Sequence, residues 1–337
     1  MAAVPTKLLV LSDTHGGRFP PDYRPPTSAD VVLHCGDLTE ESKIAEFLTT
    51  LDMLKAFGAP LTLVIAGNHD FTLDLPAFHR KVAEAGLASE PELVAREYGR
   101  DGEARKMFED VRISHNIHLL DEGTHHFPLA NGASLTVYAS PYTTSPEADW
   151  GFQYLPTDGH DFSIAENTDI VLTHSPPEGI LDRTAAKQRL GIPGLFQSVA
   201  KIRPQLHCFG HVHASWGAKL AAWRNATKTA GAETMSHFTA IDHGQSTVLD
   251  TLQSFQRGKF DDDATFTTKV QRLADFEKQG CRPIHGECDG RLKLDSGSRT
   301  YTLFVNASTK DDEEEQLHLP WLLDLDLPRS SPNMKES

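Results

Sequence analysis

Cysteine is scarce in this chain, with four in 337 residues. That is too few to staple a protein of this length, so a disulfide scaffold is excluded. Positive charge is also short. Lys and Arg total 32 against 47 Asp and Glu, a formal net charge of −15. This excludes broad, charge-driven binding to nucleic-acid duplexes or anionic membranes. A small anionic substrate stays open, because bound dications would reverse the local field. No apolar run approaches the roughly 18 residues that a membrane-spanning helix needs. The first residues lead almost directly into a strand, without a charged region, apolar core and cleavage site. An intracellular, cytoplasmic location is the expectation. The sequons at Asn225 and Asn306 are then chance matches. There is no internal repeat.

Five short polar clusters stand out instead. They are Asp13-Thr14-His15, Gly36-Asp37, Gly67-Asn68-His69-Asp70, Thr173-His174 and Gly210-His211-Val212-His213. Each ends an apolar run: Lys7 to Ser12, Asp30 to His34, Leu61 to Ala66, Asp169 to Thr173, and Gln205 to Phe209. Near-continuous Val, Ile and Leu predict strands buried on both faces. Between the second and third runs, Ile44, Phe47, Leu48, Leu51, Leu54 and Phe57 recur at helical spacing. Thr39 is the expected cap, Glu40 and Glu41 the acidic first turn, and Gly58 with Pro60 the stop. Strand, helix, strand implies parallel neighbours and a right-handed crossover. Loops at the carboxyl ends of such strands gather at one sheet edge.

The residue types point to metal chemistry. Asp, Asn and His offer oxygen and imidazole ligands, a set suited to Mn, Fe, Zn or Mg rather than to copper(I) or iron–sulfur clusters. One carboxylate can bridge two ions. Two ions roughly 3.5–4 Å apart can clamp the attacking and leaving oxygens of a phosphoryl group. Glycines beside Asp37, Asn68 and His211 would let the backbone turn and come close.

The pattern resembles the calcineurin-like metallophosphoesterases, whose signature reads D-x-H, G-D, G-N-H-[DE], H and G-H-x-H. The segments Leu172 to Pro177, Ser140-Pro141-Tyr142 with Asp149-Trp150-Gly151-Phe152, and Phe304 to Ser308 are similar to the metallophosphoesterase-domain-containing subgroup. That subgroup is related to class III cyclic-nucleotide phosphodiesterases. The resemblance implies an α/β fold of two facing mixed β-sheets flanked by helices. It implies one metal held by Asp13, His15 and His213, a second held by Asn68, His174 and His211, and Asp37 as the bridge. It also implies two divalent ions (Mn, Fe, Zn or Mg) and attack by a metal-bridging hydroxide on a small phosphoester. By the same resemblance His69 would protonate the leaving oxygen or stabilise the transition state, and Asp70 is expected to orient it. A phosphodiester, with cyclic nucleotides included, is the preferred substrate class. Phosphomonoesters, including phosphoproteins, are the alternative, although the Asp-Arg-Gly of the Ser/Thr phosphatases is missing after Asp37. A non-catalytic protein that binds a nucleotide or partner in the metal cleft is the other alternative.

Most of the 17 histidines fall outside the pattern. His34 and His207, in strands beside the clusters, have a mainly structural reading behind the ligands. Asp74 reads as a turn or cap residue. Arg18 and Arg183 could meet substrate phosphate or form surface salt bridges. Cys35 and Cys208 read as reduced core residues. Cys281, Cys288 and His285 lack a complete tetrahedral zinc set. Residues near 91–110 predict a surface helix. The expected organisation is one domain over 5–328, with an insertion at about 220–298 and a disordered tail at 329–337. The insertion could be a substrate-selecting cap, a partner surface or a mobile acidic loop, and a helix through Val270, Leu273 and Phe276 is expected in it. Residues 311–315 form an acidic run, read as a solvated loop.

Overall fold

The computed structural model describes residues 3–26, 29–225, 235–284, 299–310 and 317–330. The sequon at 225–227, His285 and Cys288, the acidic run at 311–315 and the tail from 331 lie wholly or partly outside them. Among the described residues no helix is long and apolar enough to cross a membrane.

The first sheet contains β1 (Ala3–Leu11), β2 (Val31–His34), β3 (Leu61–Val64) and β4 (Ile117–Leu119). The second draws on β5 (Gly123–Pro128), β6 (Ser134–Ser140), β9 (Ile170–Thr173), β10 (Leu206–Phe209), β11 (Gly217–Trp223), β12 (Ile241–Thr251) and β14 (Tyr301–Asn306). A two-stranded ribbon, β7 (Thr143–Thr144) with β8 (Gln153–Tyr154), lies between β6 and β9 in sequence. The late strands β13 (Arg282–Ile284) and β15 (Trp321–Pro328) return to the first sheet. The orders are β13-β15-β1-β2-β3-β4 and β12-β11-β14-β10-β9-β6-β5. Strands β1 to β4 run parallel, as do β6, β9, β10 and β14, while β15, β11 and β5 run antiparallel to their partners in those sets. Both sheets are therefore mixed.

Alternation along each strand explains the layering. Leu8, Val10, Leu33 and Leu63 point between the sheets, where they meet Val137, Leu172, Cys208 and Val305. Leu9, Leu11, Val32 and Val64 face outward onto Phe47, Leu51 and Phe108. These last come from α1 (Ile44–Ala56) and α4 (Glu103–His115). On the far side Tyr138, Val171, Phe209 and Phe304 meet Leu195, Phe196 and Val199, of which the last three lie on α5 (Pro193–Ile202). The result is helix, sheet, sheet, helix, so the central strands are buried on both faces as their composition requires.

Two local expectations change, and the reading of Asp74 as a cap holds. The helix after the second cluster starts at Ile44 with Lys43 as its cap, and the Lys43 N–H donates to Glu46 at 3.1 Å. Thr39 is not its cap, because its hydroxyl is bound to Asp70 at 2.7 Å. The helical stretch at 91–110 splits. A turn with left-handed Gly99 and Gly102 separates α3 (Pro91–Tyr98) from α4, and α2 (Leu75–Glu84) precedes both. Asp74 caps α2, its carboxylate 3.4 Å from the N–H of Ala77, and also receives the N–H of Phe152 at 2.8 Å.

Beyond residue 217 the chain extends the outer edges of both sheets. A short helix, α6 (His237–Ala240), precedes β12, and α7 (Asp263–Gln279) leads into β13. Asp250, 1% exposed, anchors this region: Arg272 of α7 forms two hydrogen bonds to its carboxylate at 2.9 and 2.8 Å, and Arg282 of β13 pairs with it as well.

Candidate metal centre

The five clusters meet where the carboxyl ends of the two sheets touch. Ser12, just past β1, forms a parallel bridge with Ser308, just past β14. The Thr309 N–H and hydroxyl reach the Ser12 carbonyl at 2.8 and 2.7 Å. The loops then interlock. The Asp13 N–H donates to the Gly36 carbonyl at 2.9 Å and the His15 N–H to the Asp37 carbonyl at 3.1 Å.

The side chains form overlapping donor groups. Asp13, His15 and His213 each offer an atom within 4.8 Å of the others, as do Asp37, His174 and His211, and also His15, Asp37 and His69. Asp37 occupies the middle, with its Oδ2 3.7 Å from His15 Nε2 and 3.2 Å from His174 Nε2. Asn68 Oδ1 lies 3.1 Å from His174 Nε2, and His213 Nε2 lies 3.4 Å from Asp13 Oδ1. The structure thus brings together all seven side chains expected as ligands.

The electrostatics fit divalent cations. Asp13 and Asp37 are at most 1% exposed, and two buried carboxylates this close need compensating charge. Burial pushes the Asp13 carboxyl up, but the hydrogen bond and charge of His213, with the charge of His174, hold it below the usual range. Burial likewise opposes ionisation of Asp37, and His174 and His15 overcome it. Burial lowers His174, yet Asp37 and Asp13 carry it up to about 9. Burial, helped by His174, brings His211 down to about 4, which leaves a neutral imidazole suited to ligation. Both ring nitrogens of His15 are buried without a well-formed hydrogen bond. His174 is oriented by the other edge of its ring: Nδ1 lies 2.9 Å from the Cys35 carbonyl, leaving Nε2 turned toward Asp37 and Asn68.

Backbone strain is concentrated here. Asp13, His15, Asp37 and His211 all have left-handed φ, at 53°, 46°, 51° and 66°. Non-glycine residues adopt this region at a cost and cluster where function demands it. The neighbouring glycines serve two purposes. Gly36 has φ of 97° and needs its freedom. At Gly67 and Gly210 the reason is space: an added Cβ would lie 2.3 Å from Asp37 Oδ1 and 2.0 Å from Asp13 Oδ2.

His69 lies at the rim, its ring 4.7 Å from that of His15 and 4.3 Å from Trp150, and its N–H donates to Asp37 at 2.8 Å. The expected pairing with Asp70 is not formed. His69 Nδ1 faces the Glu40 carbonyl at 2.6 Å instead. Asp70 points inward and accepts the N–H groups of Gly67, Leu38 and Thr39 at 2.8, 3.1 and 3.0 Å, besides the Thr39 hydroxyl. It ties the second and third clusters together as a positioning residue.

Three contributors were not legible as such. Glu40 Oε2 lies 3.1 Å from His15 Nδ1 and pairs with Lys310, so His15 first and Lys310 next draw its carboxyl down to about 2, against burial. Trp150 backs His69, and the Gly151 N–H beside it donates to the Asn68 carbonyl at 3.0 Å. Asn306 joins two loops through the carbonyls of Leu181 and Val212 at 3.2 and 3.0 Å, so its side chain is committed inside the fold. Trp150 and Asn306 belong to motifs visible in the sequence, but their contacts are tertiary. His34 and His207 do sit behind the ligands, with Nε2 3.0 Å from the Thr14 hydroxyl and 2.9 Å from the Thr173 hydroxyl. Burial keeps both neutral, each lowered to about 3. Cys35, Cys208 and Cys281 are free and buried.

The model of the calcineurin-like phosphoesterase family matches residues 6–215. Metallophosphoesterase domain-containing protein 1 of Homo sapiens is 30% identical over 224 residues, covering 63% of this chain and 62% of that protein. The probable rhamnogalacturonate lyase C of Emericella nidulans is 28% identical over 220 residues, which are 64% of this chain and 18% of that protein. The chain therefore spans less than two thirds of the length of these relatives. Among solved structures, TT1561 of Thermus thermophilus aligns over 61% of this chain and 81% of that one, at 14% identity and a TM-score of 0.40.

Proposed function

The chain belongs to the calcineurin-like phosphoesterase family, and from that premise we propose that it is a dinuclear metal-dependent phosphodiesterase acting on small diesters, cyclic nucleotides among them. The observation that carries this reading is the position of Asp37, whose carboxylate lies between His15 and His174 and so between two donor groups. Asp13, His15 and His213 would hold one ion, Asn68, His174 and His211 the other, and Asp37 both. Mn, Fe, Zn and Mg all suit this donor set. The ions, when bound, supply Lewis acidity and a water of lowered pKa.

The protein's own groups do the rest. The Glu40 carbonyl accepts from His69 Nδ1, which orients the ring and leaves Nε2 as the atom that would pass a proton to the leaving oxygen. Trp150 against the ring limits its motion and its access to water. Asp70 holds the Asp37 and Asn68 loops in register through their backbones. The preference for diesters follows the subgroup resemblance around Tyr142, Trp150 and Phe152.

The test is to purify the protein, quantify its metals, and compare a generic phosphodiester, a generic phosphomonoester and a panel of cyclic nucleotides. Turnover of diesters is expected. Cleavage of the monoester alone would replace the diesterase reading with a phosphomonoesterase. A fully metallated protein that cleaves no phosphoester would point to a binding role.

A further inference from the structure

A cavity of about 400 Å³ opens directly beside the metal centre. Its inner wall is His213, of the first donor group, and Lys310, which pairs with Glu40 next to His15. Its other walls are Trp216, Phe255, Leu273 and Phe276. Phe255 follows the short 3-10 helix Leu252–Ser254, and Leu273 and Phe276 lie on α7. These walls come from residues outside the family match at 6–215, apart from His213.

The cavity is preformed. Trp216 stacks on Trp321 at 4.4 Å and its indole N–H reaches the Leu319 carbonyl at 3.3 Å. The Phe255 and Phe276 rings meet edge to face at 6.1 Å. Arg272 lies over both of them, at 5.6 and 5.4 Å, and is clamped to Asp250. Arg282 lies over Phe276 at 4.7 Å and pairs with the same carboxylate. The walls are therefore held in place by an ion network centred on the buried Asp250 before any ligand arrives.

Resting on the phosphodiesterase reading of the neighbouring centre, we infer that this cavity is the subsite for one ester substituent of the substrate, and that the substituent is a planar aromatic group. The volume lies within the range of small-molecule sites and suits a single ring system. Aromatic walls reward a planar ring through edge and face contacts. Lys310, on the wall beside the metal centre, suits the negative phosphoryl group that joins the ring to that centre. His213 both lines the cavity and belongs to the first donor group, so ring and phosphorus can be held at once. Residues 252–276 thereby select the substrate while the clusters supply the chemistry.

The experiment is titration calorimetry of the full, Mn-loaded chain with diphenyl phosphate and with dimethyl phosphate, which share the phosphodiester anion and differ in the substituent. Wild type should bind the diphenyl ester at least about tenfold more tightly, and Phe255→Ala, which removes one wall, should cut that preference to about threefold or less. Leu273→Trp, which fills the cavity from a half-buried position, should remove the preference while dimethyl phosphate affinity and Mn content stay at wild-type values. Equal affinity for the two esters in wild type, or an unchanged preference in both variants, would overturn the subsite. Turnover is measured in parallel. Preferential binding of diphenyl phosphate without cleavage of any diester would sink the phosphodiesterase reading and leave the aromatic subsite standing.

Discussion

The carboxylate of Asp70 holds Thr39 twice, through its N–H at 3.0 Å and its hydroxyl at 2.7 Å. One buried side chain thus fixes the loop after Asp37 from the loop that carries Asn68. Burial and the nearby Asp37 charge raise the Asp70 carboxyl, while Thr39 and the backbone of Gly67 and Leu38 oppose the rise. Its place in the fold is to organise backbone, not to touch the His69 ring.

Asp70→Asn is accordingly expected to act on stability first. An amide turns an NH₂ group toward at least one of the backbone donors, leaving buried N–H groups unpaired, at a cost of about 2–4 kcal/mol. Denaturant unfolding monitored by circular dichroism checks this. An unchanged midpoint with a large loss of turnover would instead favour the direct pairing with His69.

His69→Ala and Asp37→Ala should separate proton transfer from metal binding. His69→Ala keeps the donor groups and loses turnover by about 10²–10⁴-fold, the usual contribution of a positioned acid. Asp37→Ala loses both ions and all activity. Metal analysis beside kinetics decides, and a full rate in His69→Ala would remove that residue from the mechanism.

Gly210→Ala tests the close approach at the first donor group. The new methyl would lie 2.0 Å from Asp13 Oδ2 and 2.1 Å from Ser12 Oγ, so the Asp13 carboxylate must move. Metal content should fall to about one ion or less per chain, since the shared bridge keeps only one group intact. Gly58→Ala, where an added Cβ meets nothing within 4 Å, provides the contrast. It has a left-handed φ of 64°, so it should lose a little stability and keep its metals.

Asp169 gives a pH signature away from the metal centre. Burial pushes its carboxyl up to about 6 from 3.8, with the Thr136 N–H opposing. The folded state therefore holds the proton more tightly than the unfolded chain. Stability from this group is greatest below 3.8, declines as pH rises to about 6, and is flat above. Asp169→Asn keeps an acceptor for Thr136 and cannot ionise. Relative to wild type it should gain roughly 1 kcal/mol at neutral pH and nothing at the acid end, allowing for partial solvent contact. Urea unfolding at several pH values measures the difference, and a gain independent of pH would contradict the assignment.

The sequence by itself determined which atoms could serve as ligands and in what order they arrive. Asp, Asn and His at the ends of buried apolar runs are local facts, and β1, β2, β3, β9 and β10 follow from the same runs. The alternation that puts Leu8 and Val10 on one face and Leu9 and Leu11 on the other follows likewise from strand geometry. Tertiary structure alone decided what the side chains meet. His69 faces a backbone carbonyl because the loop after Asp37 folds across it, and every residue carries a carbonyl, so no residue type could announce that contact. Thr39 has the composition of a helix cap, but a buried carboxylate from another loop claims its hydroxyl. Gly67 and Gly210 are glycines because another loop's carboxylate passes within van der Waals distance. The aromatic cavity arises only when α7, anchored through Asp250 to strands in both sheets, is laid beside His213. Periodicity and residue chemistry act over a few positions along the chain, whereas these contacts join residues that the chain separates by tens to hundreds of positions.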